Sequence, residues 1–253
     1  MAEESDDAIH LVLLETSANQ AYLFATNKLR EVVGASQLTY EAGTRLVAEA
    51  VEEQFDRSVA SELVEEPAID TEGAKGVEVL VATSGKALLL VRGRERALAL
   101  VTDWSRRVVV EAPGLDATGV VSRAPVDLAL ERGAKNGEAT DIDTAVAEVH
   151  AAFEDARMRR RAPQARFARI PVVAACRSSD LPASELVKEG KARIEVSRPV
   201  AVKREEAVIN RARGRVAGFI GGRKGGLVWR LEGLVLGFGG GWVRVVQAGG
   251  GGR

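Results

Sequence analysis

Two β-rich runs, Val77–Thr83 and Ala87–Val91, meet across Ser84-Gly85-Lys86, and this pairing constrains the fold more than any other feature of the chain. A link that short, with a glycine able to take positive φ, joins neighbouring antiparallel strands and leaves no length for a crossover. The hairpin sits inside a longer order. Upstream, Ile9-His-Leu-Val-Leu-Leu-Glu15 is a short apolar run ending at a carboxylate, as a buried strand does. A helical stretch follows from about Asn27 to Phe55, with the i,i+4 pairs Leu46/Ala50, Val47/Val51 and Val51/Phe55 on its second half. Gly34 and Gly43 are the points where it can bend or break. Downstream, residues 94–110 alternate charge with Leu98, Leu100, Val101, Trp104 and Val108, which predicts a helix ending before Pro113-Gly114, and Val120-Val121 falls in a fourth strand. The order β-α-β-β-α-β is that of the ferredoxin-like unit.

The expected class is therefore α+β. A ferredoxin-like domain is expected over residues 1–130, a linker and mixed helical/strand segment over 131–220, and an irregular glycine-rich C-terminus over 221–253. Within the middle part, Gly133–Asp141 reads as a polar link and Asp143–Arg161 as a helix ending in Arg157, Arg159, Arg160 and Arg161, cations that suit the negative end of a helix dipole. A strand over Phe167–Ala175 leads into a turn at Cys176, and a further helix is expected from Val200 to about Val216. Of 26 glycines, 15 lie between Gly214 and Gly252, a load that makes ordering costly.

Chemistry concentrates in Tyr22-Leu-Phe-Ala-Thr-Asn-Lys-Leu-Arg-Glu-Val-Val-Gly-Ala-Ser36, which starts apolar and turns abruptly polar at a helix entrance. Free backbone N–H groups and the dipole favour anions there, and Lys28 and Arg30 beside them suit a phosphate. The plainer alternative is an ordinary helix capped by Thr26 or Asn27, with Arg30 paired to Glu15 or Glu31 and Ser36 buried against the sheet.

The wording of this segment, with Glu15-Thr16-Ser17 before it, resembles the opening of palm-domain proteins related to the large polymerase/cyclase subunit of type III CRISPR effectors, the Cas-ten/Cmr-two family. Three further pieces are similar in the same order: the hairpin Val79–Val91, the turn Cys176-Arg-Ser-Ser-Asp-Leu-Pro-Ala183 with Asp180 in place of a glycine, and Trp242-Val-Arg-Val-Val-Gln-Ala-Gly-Gly-Gly-Gly252, which looks like the strand opening a second palm. The resemblance implies a palm module of prokaryotic antiviral defence that binds ATP or GTP with Mg²⁺. Thr16, Asn27, Lys28, Arg30 and Ser36 would hold the nucleotide, and Glu15 is the candidate metal ligand. It also implies partners: other defence subunits or a separate catalytic palm.

Turnover is not expected. Palm nucleotidyl transfer uses two metal ions held by carboxylates at the end of the first strand and on the central hairpin. This hairpin offers Lys86, which repels a cation, and the second-palm aspartate of relatives is replaced by Gly249. The expectation is a pseudoenzyme that stops where the second palm begins; the alternative is a non-catalytic interaction scaffold or a fragment of a cyclase. Cys176 lacks zinc-ligand company, and Asp141 and Asp143 read as helix caps. Gly221-Gly-Arg-Lys-Gly-Gly226 lacks phosphate-loop spacing.

Net charge is −1, so no global attraction for nucleic acid or membrane arises and direct nucleic-acid binding is not expected, although an RGG-like tail is one reading of the C-terminus. From Arg198 onward, 11 Lys/Arg stand against 3 Glu and no Asp. A single cysteine, no apolar run of membrane-spanning length and an acidic start without signal-peptide character predict a cytoplasmic protein.

Overall fold

The computed structural model describes residues 7–55, 69, 76–131, 133–159 and 172–221, with side chains of the last helix described as far as Asn210. In chain order the elements are β1 (Ile9–Ser17), α1 (Asn19–Leu23), α2 (Leu29–Ala42), α3 (Arg45–Phe55), β2 (Val77–Thr83), β3 (Lys86–Arg92), α4 (Arg94–Glu111), β4 (Asp116–Val121), β5 (Lys135–Asn136), β6 (Ala139–Thr140), α5 (Ile142–Arg159), β7 (Glu185–Glu189), β8 (Ala192–Val196) and α6 (Arg198–Gly221). The fold is α+β.

Its centre is a four-stranded antiparallel sheet in the order β2-β3-β1-β4. The apolar run of β1 lies between β3 and β4, with Ile9 opposite Arg92, Glu15 opposite Lys86, and Val12 opposite Val121. Successive side chains of a strand point to opposite faces. Val12 and Leu14 accordingly join a core with Leu38 of α2, Leu46 and Val51 of α3, and Leu100 and Trp104 of α4. Leu11 and Leu13 join a second core with Ala145, Val149 and Phe153 of α5. Leu11 through Leu14 are all fully buried because helices cover both faces of the sheet.

The helical stretch expected over 27–55 is two helices, divided at Gly43, one of the two glycines read as possible break points. It starts at Leu29 and breaks at Gly43-Thr44, where the chain backs onto the β2–β3 turn so closely that a Cβ on Gly43 would collide with the Thr83 carbonyl oxygen. Trp104 fixes this corner: its indole N–H donates to the Ala42 carbonyl at 2.8 Å, satisfying a group that a helix C-terminus leaves open. In the β2–β3 turn itself Gly85 takes φ 70, the conformation for which a glycine was expected.

The middle part departs further from expectation. The polar link holds the short β5–β6 pair. Asp141 caps α5 as read, accepting the Asp143 and Thr144 N–H groups at 3.1 Å each. The α5 terminus carries Arg157 and Arg159 in ion pairs with Glu154 and Asp155; Arg160 and Arg161 lie outside the described residues. Of the strand expected over 167–175, residues 167–171 also lie outside them, and 172–175 form only an isolated bridge, Ala175 to Pro182. The β7–β8 hairpin was not anticipated, because its inward face offers only Val187, Ile194 and Val196 among six charged residues. The glycine-rich segment 222–253 falls outside the described residues. Among the described residues no helix is long and apolar enough to cross a membrane.

Candidate functional site

Strand β1 ends at Ser17, whose hydroxyl donates to Asp116 at 2.9 Å. Ala18 then takes φ 53, an uncommon conformation for a residue with a Cβ, and turns the chain into α1. A short loop leads to α2, whose cap position is Lys28 in extended conformation with no side-chain capping bond. This corrects the expected caps: the Thr26 hydroxyl is buried without a hydrogen-bond partner among the described residues, and Asn27 is exposed.

The cations of the entrance are engaged by the C-terminal part of the chain. Lys28 Nζ lies 3.2 Å from Glu189 Oε1 at the end of β7. That ammonium, helped by the smaller pulls of Arg204 and Arg177, holds the Glu189 carboxyl below its usual range against the opposing effect of desolvation. Arg30 donates through Nε and Nη2 to the Arg204 carbonyl at 3.2 and 3.1 Å, instead of pairing with Glu15 or Glu31. Glu31, fully buried, accepts from Arg204 Nε at 2.7 Å and from Ser178 Oγ at 3.0 Å. Ser178 in turn follows Cys176, whose buried sulfur accepts the Ser178 N–H at 3.4 Å. Burial pushes that thiol up, but hydrogen bonds from Ser179, Ser178 and Ser197 outweigh it and bring it below its ordinary value.

Beside this pair Lys203, only 2% exposed, donates to the Tyr22 carbonyl at 2.6 Å and stands 3.8 Å from the centroid of the Tyr22 ring. Desolvation lowers its pKa to about 8 against the opposing pull of Glu31. Burial raises the Tyr22 hydroxyl. Gly34 makes the contact of α2 with α6 possible: a Cβ there would run into the Lys203 carbonyl oxygen.

Thr16 and Glu15 lie elsewhere. The Thr16 hydroxyl is buried and donates to the Gly85 carbonyl at 3.1 Å. The same turn meets α2 at Thr39, ten residues beyond Leu29 and so about 15 Å along the helix. Glu15 faces Lys86 directly across the β1–β3 ladder, and Lys86 Nζ approaches its carboxylate at 3.1 Å without the alignment of a hydrogen bond. An ammonium in that position does not fit a Mg²⁺ site on Glu15. Ser36, expected to hold the nucleotide, is exposed, which departs from the alternative that packed it against the sheet. The structure thus groups Lys28 and Arg30 at the α2 entrance with Asn27 near them, and leaves Thr16, Glu15 and Ser36 apart. Among the described residues no group of three or more His, Cys, Asp or Glu is placed to hold a metal ion.

Sequence reasoning missed Ser178, Glu189, Lys203 and Arg204, and named Glu31 only as a partner for Arg30. One signal was available. Val200, Lys203, Arg204 and Ala207 recur at helical spacing on one face, so two cations occupy an apolar stripe, which demands buried partners.

No protein-family model matches this chain, and no curated protein matches it.

Proposed function

We propose that this chain is a non-catalytic palm-type scaffold. In this reading it is a ferredoxin-like unit of the Cas-ten/Cmr-two kind from prokaryotic antiviral defence, whose helix entrance grips its own C-terminal part instead of a reacting nucleotide. One observation carries the reading. Lys28, Arg30, Glu31 and Gly34, four positions of the segment that resembles that family, all meet α6 or β7. The strand order β2-β3-β1-β4, with helices joining β1 to β2 and β3 to β4, supports the ferredoxin-like topology. The Lys86–Glu15 pair supports the absence of turnover, since an ammonium stands where a second metal-binding carboxylate is needed. The partner of such a scaffold is a separately encoded catalytic palm or another defence subunit.

A second reading, nucleotide binding without turnover, is favoured by the missing side-chain cap on α2 and the exposed Asn27 beside it. ATP or GTP would place its phosphates on Lys28 and Arg30 at the helix N-terminus. Titrating labelled ATP and GTP, with Mg²⁺, into the wild type and the Lys28→Ala/Arg30→Ala variant separates the two. The scaffold requires equally weak, unsaturable binding by both proteins and a lower melting temperature for the variant. A saturable micromolar Kd that the variant loses would replace the scaffold with the nucleotide reading.

A further inference from the structure

The charge of this chain is sorted in sequence and then sorted again by the fold. Residues 177–253 hold 15 Lys/Arg against 7 Asp/Glu, while the preceding 176 residues hold 20 against 29. The near-zero net charge therefore averages two parts of opposite sign, and the expectation drawn from it, that nucleic acid is not attracted, does not extend to the basic part.

The β7–β8 hairpin opens the basic part. Its strands pair Glu185 with Val196, Leu186 with Glu195, Val187 with Ile194, Lys188 with Arg193 and Glu189 with Ala192. Alternation puts Glu185, Val187, Glu189, Ala192, Ile194 and Val196 on one face. Val187 and Ile194 pack there against Cys176 and Val200, and the two carboxylates are met by cations from other elements, Glu185 by Arg198 at 3.5 Å and Glu189 by Lys28 at 3.2 Å. The inward face is thereby neutralised. The outward face keeps Lys188 and Arg193 directly opposite each other, with Lys191 in the Gly190-Lys191 turn between the strands. All three are exposed and none has an ion-pair partner among the described residues. Glu195 is the only carboxylate on that face. Like charges directly opposite on a ribbon repel each other, so the free hairpin carries an unfavourable pair that a polyanion would relieve.

We propose that the outward face of the β7–β8 hairpin, presenting Lys188, Lys191 and Arg193, is a docking surface for the phosphate backbone of a nucleic acid. The contact is to phosphates and not to bases: the face carries no aromatic ring for stacking and no Asn or Gln for reading base edges. A membrane is the poorer fit, because the one large apolar side chain on this face, Leu186, lies among charges and not at the hairpin tip. This surface is independent of the α2 entrance, and the proposal stands or falls without the palm reading.

The test uses the full chain with fluorescein-labelled 20-nucleotide oligouridine RNA and a 20-base-pair mixed-sequence DNA duplex, read by anisotropy between 50 and 200 mM NaCl. Each phosphate contact contributes roughly 0.7 to 0.9 to the slope of log affinity against log salt. Lys188→Glu/Lys191→Glu/Arg193→Glu is expected to weaken binding at least tenfold and to lower that slope by about 2. The Lys188→Gln/Arg193→Gln variant should lie between it and the wild type, and Arg96→Glu/Lys135→Glu, in the acidic part, should bind like the wild type. Circular dichroism checks that each variant is folded. Equal binding by the wild type and the triple variant overturns the proposal. So does a wild type that ignores both probes at 50 mM salt, whether or not it self-associates in sedimentation or captures anionic vesicles.

Discussion

Arg204 and Glu31 meet at 2.7 Å with 6% and 0% of their side chains exposed, and they tie the last described helix to the first long one. The pair is not alone. Ser178 bonds both partners, and Glu189 lies 3.8 Å from Arg204 Nη1. Removing one member of a buried pair leaves the other charge uncompensated in a medium that solvates it poorly. Arg204→Ala is therefore expected to destabilise the protein by about 3–5 kcal/mol in urea unfolding. Glu31→Met/Arg204→Met, which removes both charges at similar volume, should fall within about 1 kcal/mol of the wild type. A double variant as unstable as Arg204→Ala would mean that the ions themselves, and not the exclusion of an orphan charge, hold α2 to α6.

Gly34→Ala tests the contact between the same helices. On an isolated helix alanine gains about 1 kcal/mol over glycine. Here the added Cβ meets the Lys203 carbonyl, part of a rigid backbone, and α6 has to move away from α2. A net destabilisation of about 1–3 kcal/mol is expected. Ser36→Ala, on the same helix but exposed, should change stability by less than about 0.5 kcal/mol. Chemical denaturation of both variants checks the contrast, and a Gly34→Ala protein more stable than the wild type would remove the close approach.

Lys203 gives the structure a pH dependence on the alkaline side. Its folded pKa of about 8 lies below the ordinary lysine value because the ammonium is desolvated, with Glu31 pulling the other way. Between those two values the unfolded chain binds more protons than the folded one, so stability rises with pH. The charged lysine costs stability below pH 8 and that cost is relieved above it. Tyr22, raised by burial, acts in the opposite sense only once the unfolded tyrosine ionises near pH 10. From pH 8 to 9.5 the wild type is expected to gain up to about 2 kcal/mol, at roughly 1.36 kcal/mol per unit. Lys203→Met should lose most of that rise, keeping only the part in the same direction from the lowered Cys176 thiol. Parallel curves for the two proteins would show that Lys203 does not titrate in this range.

What could be read from the sequence follows what local pattern encodes. Short apolar and β-rich runs located the four sheet strands and helical spacing located α4, and Asp141 declared itself as a cap because capping is settled within three residues. Partners 150 or more residues apart could not be read. Lys28 and Arg30 have the composition of an anion site, and nothing near them in the chain says that Glu189 and the Arg204 carbonyl occupy them. The cover over the second sheet face was hidden for a related reason. The α5 sequence is amphipathic, but its pattern does not name the surface it covers.

The Glu15–Lys86 pair admits a constructive test. The two residues are directly opposite on β1 and β3, and under the proposed palm reading these are the positions that would hold a metal between carboxylates. Both are partly exposed, so replacing Lys86 by alanine should cost no more than about 1 kcal/mol. Lys86→Asp is different, because it places two carboxylates opposite each other, and like charges in that relation repel. The variant should be less stable than Lys86→Ala in the absence of divalent ions. A bound Mg²⁺ would reverse that penalty, since anything that binds only the folded state stabilises it by mass action. The expected result is a melting temperature that rises with MgCl₂ at constant ionic strength for Lys86→Asp and stays flat for the wild type and Lys86→Ala. If the aspartate variant shows no Mg²⁺ response, this strand end lacks the geometry of a metal site whatever residue faces Glu15. A response in the wild type would mean that Lys86 yields to a cation, and the non-catalytic reading would lose its main chemical support.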